Sequence, residues 1–397
     1  MPAMPKLADP VELPCGAVLK NRIAKSAMSD VLADGAGGVS DAQLGLYERW
    51  AEGGLALGMI GEVQSSPAWP EDPGNLVLDA AADLDRFAEL ASKGRKTGAA
   101  LWPQLGNAGA LADLAVAERA GPSAVQIGDL ECREMTLDEI EALPAQYAAA
   151  AGLARKAGFG GVQIHAGHGF LVNQFLSPLF NRRTDAYGGD VSKRARLLLE
   201  ILEAVRGAVG PDFPIGVKLN STDLIEGGLE AEDALHVARL LSAAGIDLLE
   251  VSGGTYVPGL VPKPRPSRSG PYFAEFAASV REISPVPVML TGGVKTRADA
   301  IALIEDGVCD LVGVARLAVL DPGLANAWTS EPDHSVDPPF PKLVSGQSGD
   351  ITAWYQRRLR DIAEGSEAET ERTAAQARAE IADGHQQNTR SWAARFG

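Results

Sequence analysis

Residues 214–252 read PIGVKLNSTDLIEGGLEAEDALHVARLLSAAGIDLLEVS, and their pattern decides the fold. Pro214–Leu219 and Asp247–Ser252 are short, mostly apolar on both sides, and bounded by Gly, Pro or polar residues. A strand buried on both faces reads that way. Between them Ala231–Ala243 has helical spacing, and Gly245 falls where a helix C-terminal glycine belongs. Outward in both directions the unit repeats. Further strands are predicted at Arg22–Met28, Leu55–Val63, Ala99–Leu105, Gly161–His165, Pro287–Thr291 and Leu311–Ala315. Helices are predicted at Asp41–Glu52, Ala81–Lys96, Thr136–Lys156, Ser192–Val209, Tyr272–Ile283 and Arg297–Asp306. Thr136-Leu-Asp-Glu139 has the spacing of a capping box. Eight strands alternating with helices predict an α/β fold, a closed (β/α)8 TIM barrel. A doubly wound open sheet is the alternative. The nearest approach to a GxGxxG unit, Gly35-Ala-Gly-Gly38, lies in a loop with the wrong spacing for it.

The barrel is expected over residues 1–345 and a helical C-terminal tail over 346–397. Asp337-Pro-Pro-Phe-Pro341 reads as the linker. Ile351–Glu364 and Glu367–Ile381 read as helices, the first with an apolar stripe of Trp354, Tyr355, Leu359 and Ile362. The second is more polar and is expected to present a solvated charged face, with contact to a neighbouring subunit in a homo-oligomer as the alternative. The 397 residues carry 36 basic and 52 acidic side chains, a net charge of −16. That balance argues against a general nucleic-acid or anionic-membrane binder. No apolar run of about 18 residues predicts a membrane span. The start, MPAMPKLADP, does not read as a signal peptide. Three scattered cysteines, Cys15, Cys132 and Cys309, are too few for a disulfide framework or a four-cysteine metal site. A reduced, cytoplasmic setting is expected.

In such a barrel, chemistry sits at the C-terminal ends of the strands. Those ends carry Ala27-Met28-Ser29, Gln104 with Asn107, His165-Ala-Gly-His168-Gly-Phe170, Lys218-Leu-Asn220 and Ser252-Gly-Gly-Thr-Tyr256. The last two carry Thr291-Gly-Gly-Val294 and Gly313-Val-Ala-Arg316. Barrels often hold a phosphate after the seventh and eighth strands, where Gly292 and Gly293 would let backbone approach and Arg316 would clamp it. Otherwise this is a tight turn and a surface arginine. His165 and His168 are two of only five histidines. They would face a substrate oxygen or brace the loop; no nearby carboxylate or thiol in the sequence suggests a metal. Lys218 ends a strand that otherwise reads as core, so it should face the mouth, since an unpaired buried charge is too costly.

Leu19-Lys-Asn-Arg-Ile23, His165-x-x-His168-Gly, Asn173-Gln-Phe-Leu-Ser-Pro178 and Asn181-Arg-Arg-Thr-Asp-Ala-Tyr-Gly-Gly189 resemble the Old Yellow Enzyme family of FMN-dependent NAD(P)H:flavin oxidoreductases. Glu226-Gly-Gly228, Thr291-Gly-Gly and Ala315-Arg316 extend the match over roughly residues 10–325. Ser252-Gly-Gly-Thr-Tyr256 resembles its NADH oxidase-like branch. The resemblance implies one non-covalent FMN at the barrel mouth, with NAD(P)H as co-substrate. Ala27, Met28, Ser29, Val63, Gln104 and Lys218 would line the flavin, and Gly292, Gly293, Ala315 and Arg316 would hold its phosphate. His165 and His168 would bind a carbonyl or nitro oxygen of a small electrophilic substrate such as an α,β-unsaturated carbonyl. Phe170, Tyr256 and Trp102 would border that substrate, with Trp69 shaping the pocket.

The sequence departs from the family at three places. Phe170 stands where efficient alkene reducers carry Tyr, and a phenyl ring has no proton to give. Water or another phenol, Tyr256 or Tyr272, would then supply the proton. Asn107 and Ala110 replace the family's usual His and Arg. Ser29 replaces a Thr or Cys. The clustered cysteines of the iron–sulfur branch are absent, so no cluster is expected. Three functions remain open: ene- or nitro-reduction, a flavin-dependent dehydrogenase or oxidase working in the desaturation direction, and a non-redox barrel isomerase or lyase.

Overall fold

The computed structural model describes residues 4–258, 260, 263, 270–330, 349–366 and 373–397. The linker reading at Asp337–Pro341 and most of the loop after Tyr256 lie outside them. The apolar runs form β1 (Ile23–Lys25), β2 (Leu57–Gln64), β3 (Ala100–Gly106), β4 (Val162–Ala166), β5 (Ile215–Asn220), β6 (Leu248–Ser252), β7 (Val288–Thr291) and β8 (Leu311–Val314). All pair in parallel in that order, and Val312 of β8 lies opposite Ile23 of β1, which closes the ring. The fold is therefore the (β/α)8 barrel and not the open sheet.

Each strand is followed by a helix: α1 (Asp41–Glu52), α2 (Leu84–Gly94), α3 (Leu137–Lys156), α4 (Arg196–Val209), α5 (Ala231–Ala243), α6 (Ala274–Ile283), α7 (Arg297–Glu305) and the short α8 (Arg316–Leu320). The predicted capping box starts α3. The Glu139 N–H donates to Thr136 Oγ1 at 3.2 Å, and the Thr136 N–H donates to Glu139 Oε2 at 2.8 Å. Buried apolar side chains of strands and helices form one continuous core around the ring.

Two features were not foreseen, because all but one of their strands have only two or three residues and leave no period to read. An antiparallel hairpin, Val11–Glu12 with Val18–Leu19, lies at the N-terminal end of the barrel. Val11, Leu13 and Leu19 cluster there with Leu57, Met59, Trp102, Leu248, Met289 and Leu311. A small sheet of Ala120–Gly121, Val125–Ile127 and Leu130–Glu134 fills the long connection from β3 to α3.

The tail folds onto its own barrel. α9 (Asp350–Ala363) buries Tyr355, Leu359 and Ile362 in the main core and packs against α1. α10 (Ala374–Phe396) begins later and runs further than the sequence predicts, because the Thr373–Gln376 capping box sets its start. It crosses the loops after β1, β2 and β3. His385 Nε2 lies 2.5 Å from Asp113 Oδ2, and Arg395 bonds the carbonyls of Ala36 and Ala81. Among the described residues no helix is long and apolar enough to cross a membrane.

Candidate active site

The site begins as a polar layer inside the barrel. Gln104 Nε2 donates to Gln163 Oε1 at 2.6 Å, and Gln163 Nε2 donates to Glu250 Oε2 at 2.7 Å. Glu250 Oε1 also accepts from Ser26 Oγ and from Thr291 Oγ1, the latter at 2.7 Å. Lys218 Nζ lies 3.1 Å from Glu250 Oε1 and donates to Ser26 Oγ at 3.0 Å. Burial by itself would raise the Glu250 carboxyl, but Lys218 and the three hydrogen bonds hold it below its ordinary value. Lys218 is thus not forced outward by its charge: it is buried and paired. Its partner is its register neighbour on β6, which the sequence reading missed.

Above this layer stand the histidines. His165 Nδ1 bonds Glu62 Oε1 at the end of β2. His165 Nε2 lies 3.1 Å from His168 Nδ1, and His168 Nε2 lies 2.9 Å from Ser252 Oγ. Burial, then the charge of Lys218, pushes both imidazoles well below the usual histidine value, so both rings are neutral. His168 is held at φ 61°, a strained conformation for a non-glycine residue. The loop over-determines it. Asn220 Oδ1 accepts the His168 N–H, and the His168 carbonyl accepts the Tyr256 N–H at 3.0 Å. The Asn173–Pro178 run, among the most recognisable in the chain, acts as a brace. Asn173 Oδ1 accepts the Gly169 N–H at 2.7 Å, and Gln174 Nε2 donates to the carbonyls of Ala108 and Gly169.

The rim carries most of the remaining expected residues. Phe170 is buried with its ring 4.9 Å from that of His165, and Trp69 packs in the same cluster. Tyr256 is 67% exposed, and its ring lies 5.5 Å from His168 and 6.1 Å from Phe170. Tyr272 instead lies beside Gly292 and Gly293, away from the pair. Ser29 Oγ donates to Asn75 Oδ1 at 2.9 Å, and Asn75 Nδ2 donates to Glu71 Oε2 at 3.0 Å. Ala27 and Met28 press against Gly61, where an added Cβ would lie 2.8 Å from the Ala27 Cβ. Gly292 and Gly293 take φ of 118° and 85° directly after β7. Ala315 precedes α8, and Arg316 at its start lies 6.0 Å from the Tyr355 ring of α9.

Two expected site residues lie elsewhere. Trp102 is fully buried in the floor cluster, on the pleat one layer below Gln104, so it borders no substrate at the mouth. Val63 turns its side chain into the core between strands and helices, because the register shift between Ile60 and Val63 puts Glu62 inward. Asn107 bonds the Ala68 carbonyl and the Gly109 N–H, a loop-bracing role. Glu62, Gln163 and Glu250 were missed, and Ser252 stood at a strand end without its bond to His168 being foreseen. The readable signal was a charged or amide residue inside an otherwise apolar strand, as in Met59-Ile-Gly-Glu-Val63.

A model of the NADH:flavin oxidoreductase / NADH oxidase family matches residues 6–331. The chain belongs to that family. NADH-dependent flavin oxidoreductases of Neonectria sp. and Hypocrea jecorina are each 33% identical to it. The matches cover 88% and 79% of this chain, and 49% and 86% of the relatives, so the chain spans about half the length of the first. The solved structure of 2-naphthoyl-CoA reductase with 2-naphthoyl-CoA superposes with a TM-score of 0.76 at 28% identity, covering 81% of this chain and 52% of that one. An Old Yellow Enzyme homologue of Zymomonas mobilis shares the fold, with TM-score 0.70, 24% identity and coverage of 85% and 100%. Membership of this NADH:flavin oxidoreductase family removes the non-redox alternative. The family implies FMN, and the residues present fit that group. One barrel end gathers a lysine, an arginine, an amide and a hydroxyl, in Lys218, Arg316, Gln104 and Ser29. Those donors suit a ring bearing carbonyls and a phosphate.

Proposed function

We propose that this flavin oxidoreductase reduces an electron-poor acceptor, an α,β-unsaturated carbonyl or nitro compound, whose oxygen is held by His165 and His168. The observation that carries this reading is the neutral histidine pair, joined at 3.1 Å and set between Ser252, Phe170 and Tyr256. When bound, FMN supplies hydride taken from the nicotinamide, without an iron–sulfur cluster. The histidines donate hydrogen bonds to the acceptor oxygen and so stabilise the negative charge it gains. Lys218 would face the flavin ring and Arg316 its phosphate. The Phe170 ring packs against His165 and gives no proton. Tyr256, standing over His168 and Phe170, is the phenol placed to deliver one to the α-carbon.

Anaerobic reduction with NAD(P)H followed by mixing with enones, nitro compounds or oxygen tests this by flavin reoxidation. His165→Ala and His168→Ala are expected to slow reoxidation by an enone roughly 10²- to 10³-fold, the effect of losing an oxyanion donor. Phe170→Tyr is expected to speed the same step. If the histidine variants react with enones at the wild-type rate, the reading fails. Phe170 also favours a second reading, desaturation with oxygen as final acceptor. Faster flavin reduction by a saturated ketone than by NAD(P)H would select it.

A further inference from the structure

The family reaction needs a donor on the histidine that meets the substrate, but nothing said so far decides which nitrogen carries the proton. Each ring is neutral and carries one proton. His165 Nδ1 is taken by Glu62, so His165 offers a donor to an incoming oxygen only when its Nε2 is protonated. We propose that Glu62 is a positioning residue that sets the tautomers of His165 and His168 through the chain Glu62–His165–His168–Ser252. This inference rests on the histidine-bound acceptor read above.

Two arrangements satisfy every link. With Glu62 ionised, it accepts from His165 Nδ1–H, His165 Nε2 accepts from His168 Nδ1–H, and His168 Nε2 accepts from the Ser252 hydroxyl. With one more proton in the chain, Glu62 O–H donates to His165 Nδ1. His165 Nε2–H then donates to His168 Nδ1, and His168 Nε2–H donates to Ser252 Oγ. Neither histidine gains a charge in either state. A hydroxyl ends the chain equally well in both directions. Only the second state places a proton on His165 Nε2, where a substrate oxygen would take over the hydrogen bond that His168 Nδ1 accepts.

Three observations make Glu62 the controlling member. Glu62 and His165 are each only 3% exposed, so water does not compete for their bond. The second oxygen of Glu62, Oε2, is buried without a hydrogen-bond partner, which disfavours a full charge there. It fits only because residue 106 is glycine: a Cβ there would stand 1.8 Å from Oε2. The charged and titratable groups that feel it are Lys218 on β5, Glu71 and Tyr256 at the rim, and Tyr147 on α3. Burial pushes the Glu62 carboxyl up to about 8, and Lys218 opposes that rise. Glu62 is therefore neutral through neutral pH, and the chain points its donors the productive way.

The test is two-bond nitrogen–proton NMR on ¹⁵N-histidine-labelled holoenzyme from pH 6 to 9.5, with no acceptor present. Wild type is expected to show His165 as the Nε2–H tautomer at the acid end and Nδ1–H at the alkaline end, with a midpoint near the Glu62 value of about 8. Glu62→Gln cannot ionise, so the midpoint disappears. Gly106→Ala, which displaces the carboxylate while keeping it, uncouples His165 as well. A His165 tautomer that stays the same across the range in wild type, or that switches at the same pH in Glu62→Gln, overturns the proposal. The wild-type titration decides even if a variant does not fold. Because the readout uses no acceptor, a failed enone assay with an intact tautomer switch would sink the acceptor reading and leave the relay standing.

Discussion

Ala24, Trp102, Leu248 and Met289 belong to the apolar floor of the barrel, and two residues further along the same strands stand Ser26, Gln104, Glu250 and Thr291. One step of the pleat repeats the inward direction and moves up one layer, so the same strands build a dry plug at one end and a charged network at the other. The floor is closed by dispersion and burial and can be read as stability. The layer above it buries an ion pair, a poor device for stability, and holds it ready for a charged cofactor.

The sharpest way to break that contrast is to damage each end once. Glu250→Ala leaves Lys218 buried and unpaired, and is expected to lose about 3–5 kcal/mol of stability together with the bound flavin. Trp102→Ala empties the floor at a similar cost of about 3–5 kcal/mol, but folded molecules keep their flavin. Urea unfolding, paired with flavin absorbance per folded molecule, separates the two. Replacing the pair together, Lys218→Met with Glu250→Leu, should recover stability relative to Glu250→Ala without recovering flavin. Recovery of both would show that the pair serves the fold alone.

A smaller effect is expected at the rim. Gly293→Ala forces φ 85° on a side chain whose Cβ would lie 2.5 Å from the Gly270 carbonyl oxygen. About 1–3 kcal/mol of strain should follow, with faster flavin loss on dialysis.

The smallest effect should come from the tail. Burial lowers His385, but its bond to Asp113 and the charges of Asp72 and Asp113 outweigh that and raise it above the usual value. A raised histidine stabilises below its ordinary value near 6.5, and the gain is lost as pH rises through the folded value. Relative to the base-catalysed rate of an unstructured chain, the protection of the α10 amides should therefore fall between pH 6 and pH 9, and His385→Ala should remove most of that fall in protection.

The barrel was legible because seven of its eight strands are mostly apolar and at least four residues long, set between helices of ordinary period. The histidine pair, Lys218 and the glycine turn were legible for a different reason. They interrupt apolar strands or end them, and a polar residue there demands a partner or a mouth. Trp102 was misplaced because its pleat parity does not say which layer it occupies. Glu62 and Glu250 were missed because each looks like a stray charge until its partner is known. Lys218 and Glu250 meet only through strand register, and Glu62 meets His165 across a hundred residues.

The sequence by itself determined the alternation of elements, the family and the residues at most strand ends, because periodicity and local spacing carry that information. Only the tertiary structure decided which buried charges face one another, that α10 lies over the loops of its own barrel, and that Glu62 holds His165. Those are contacts between distant segments in a low-dielectric interior, where a separation of a few ångströms determines whether a group is charged or neutral.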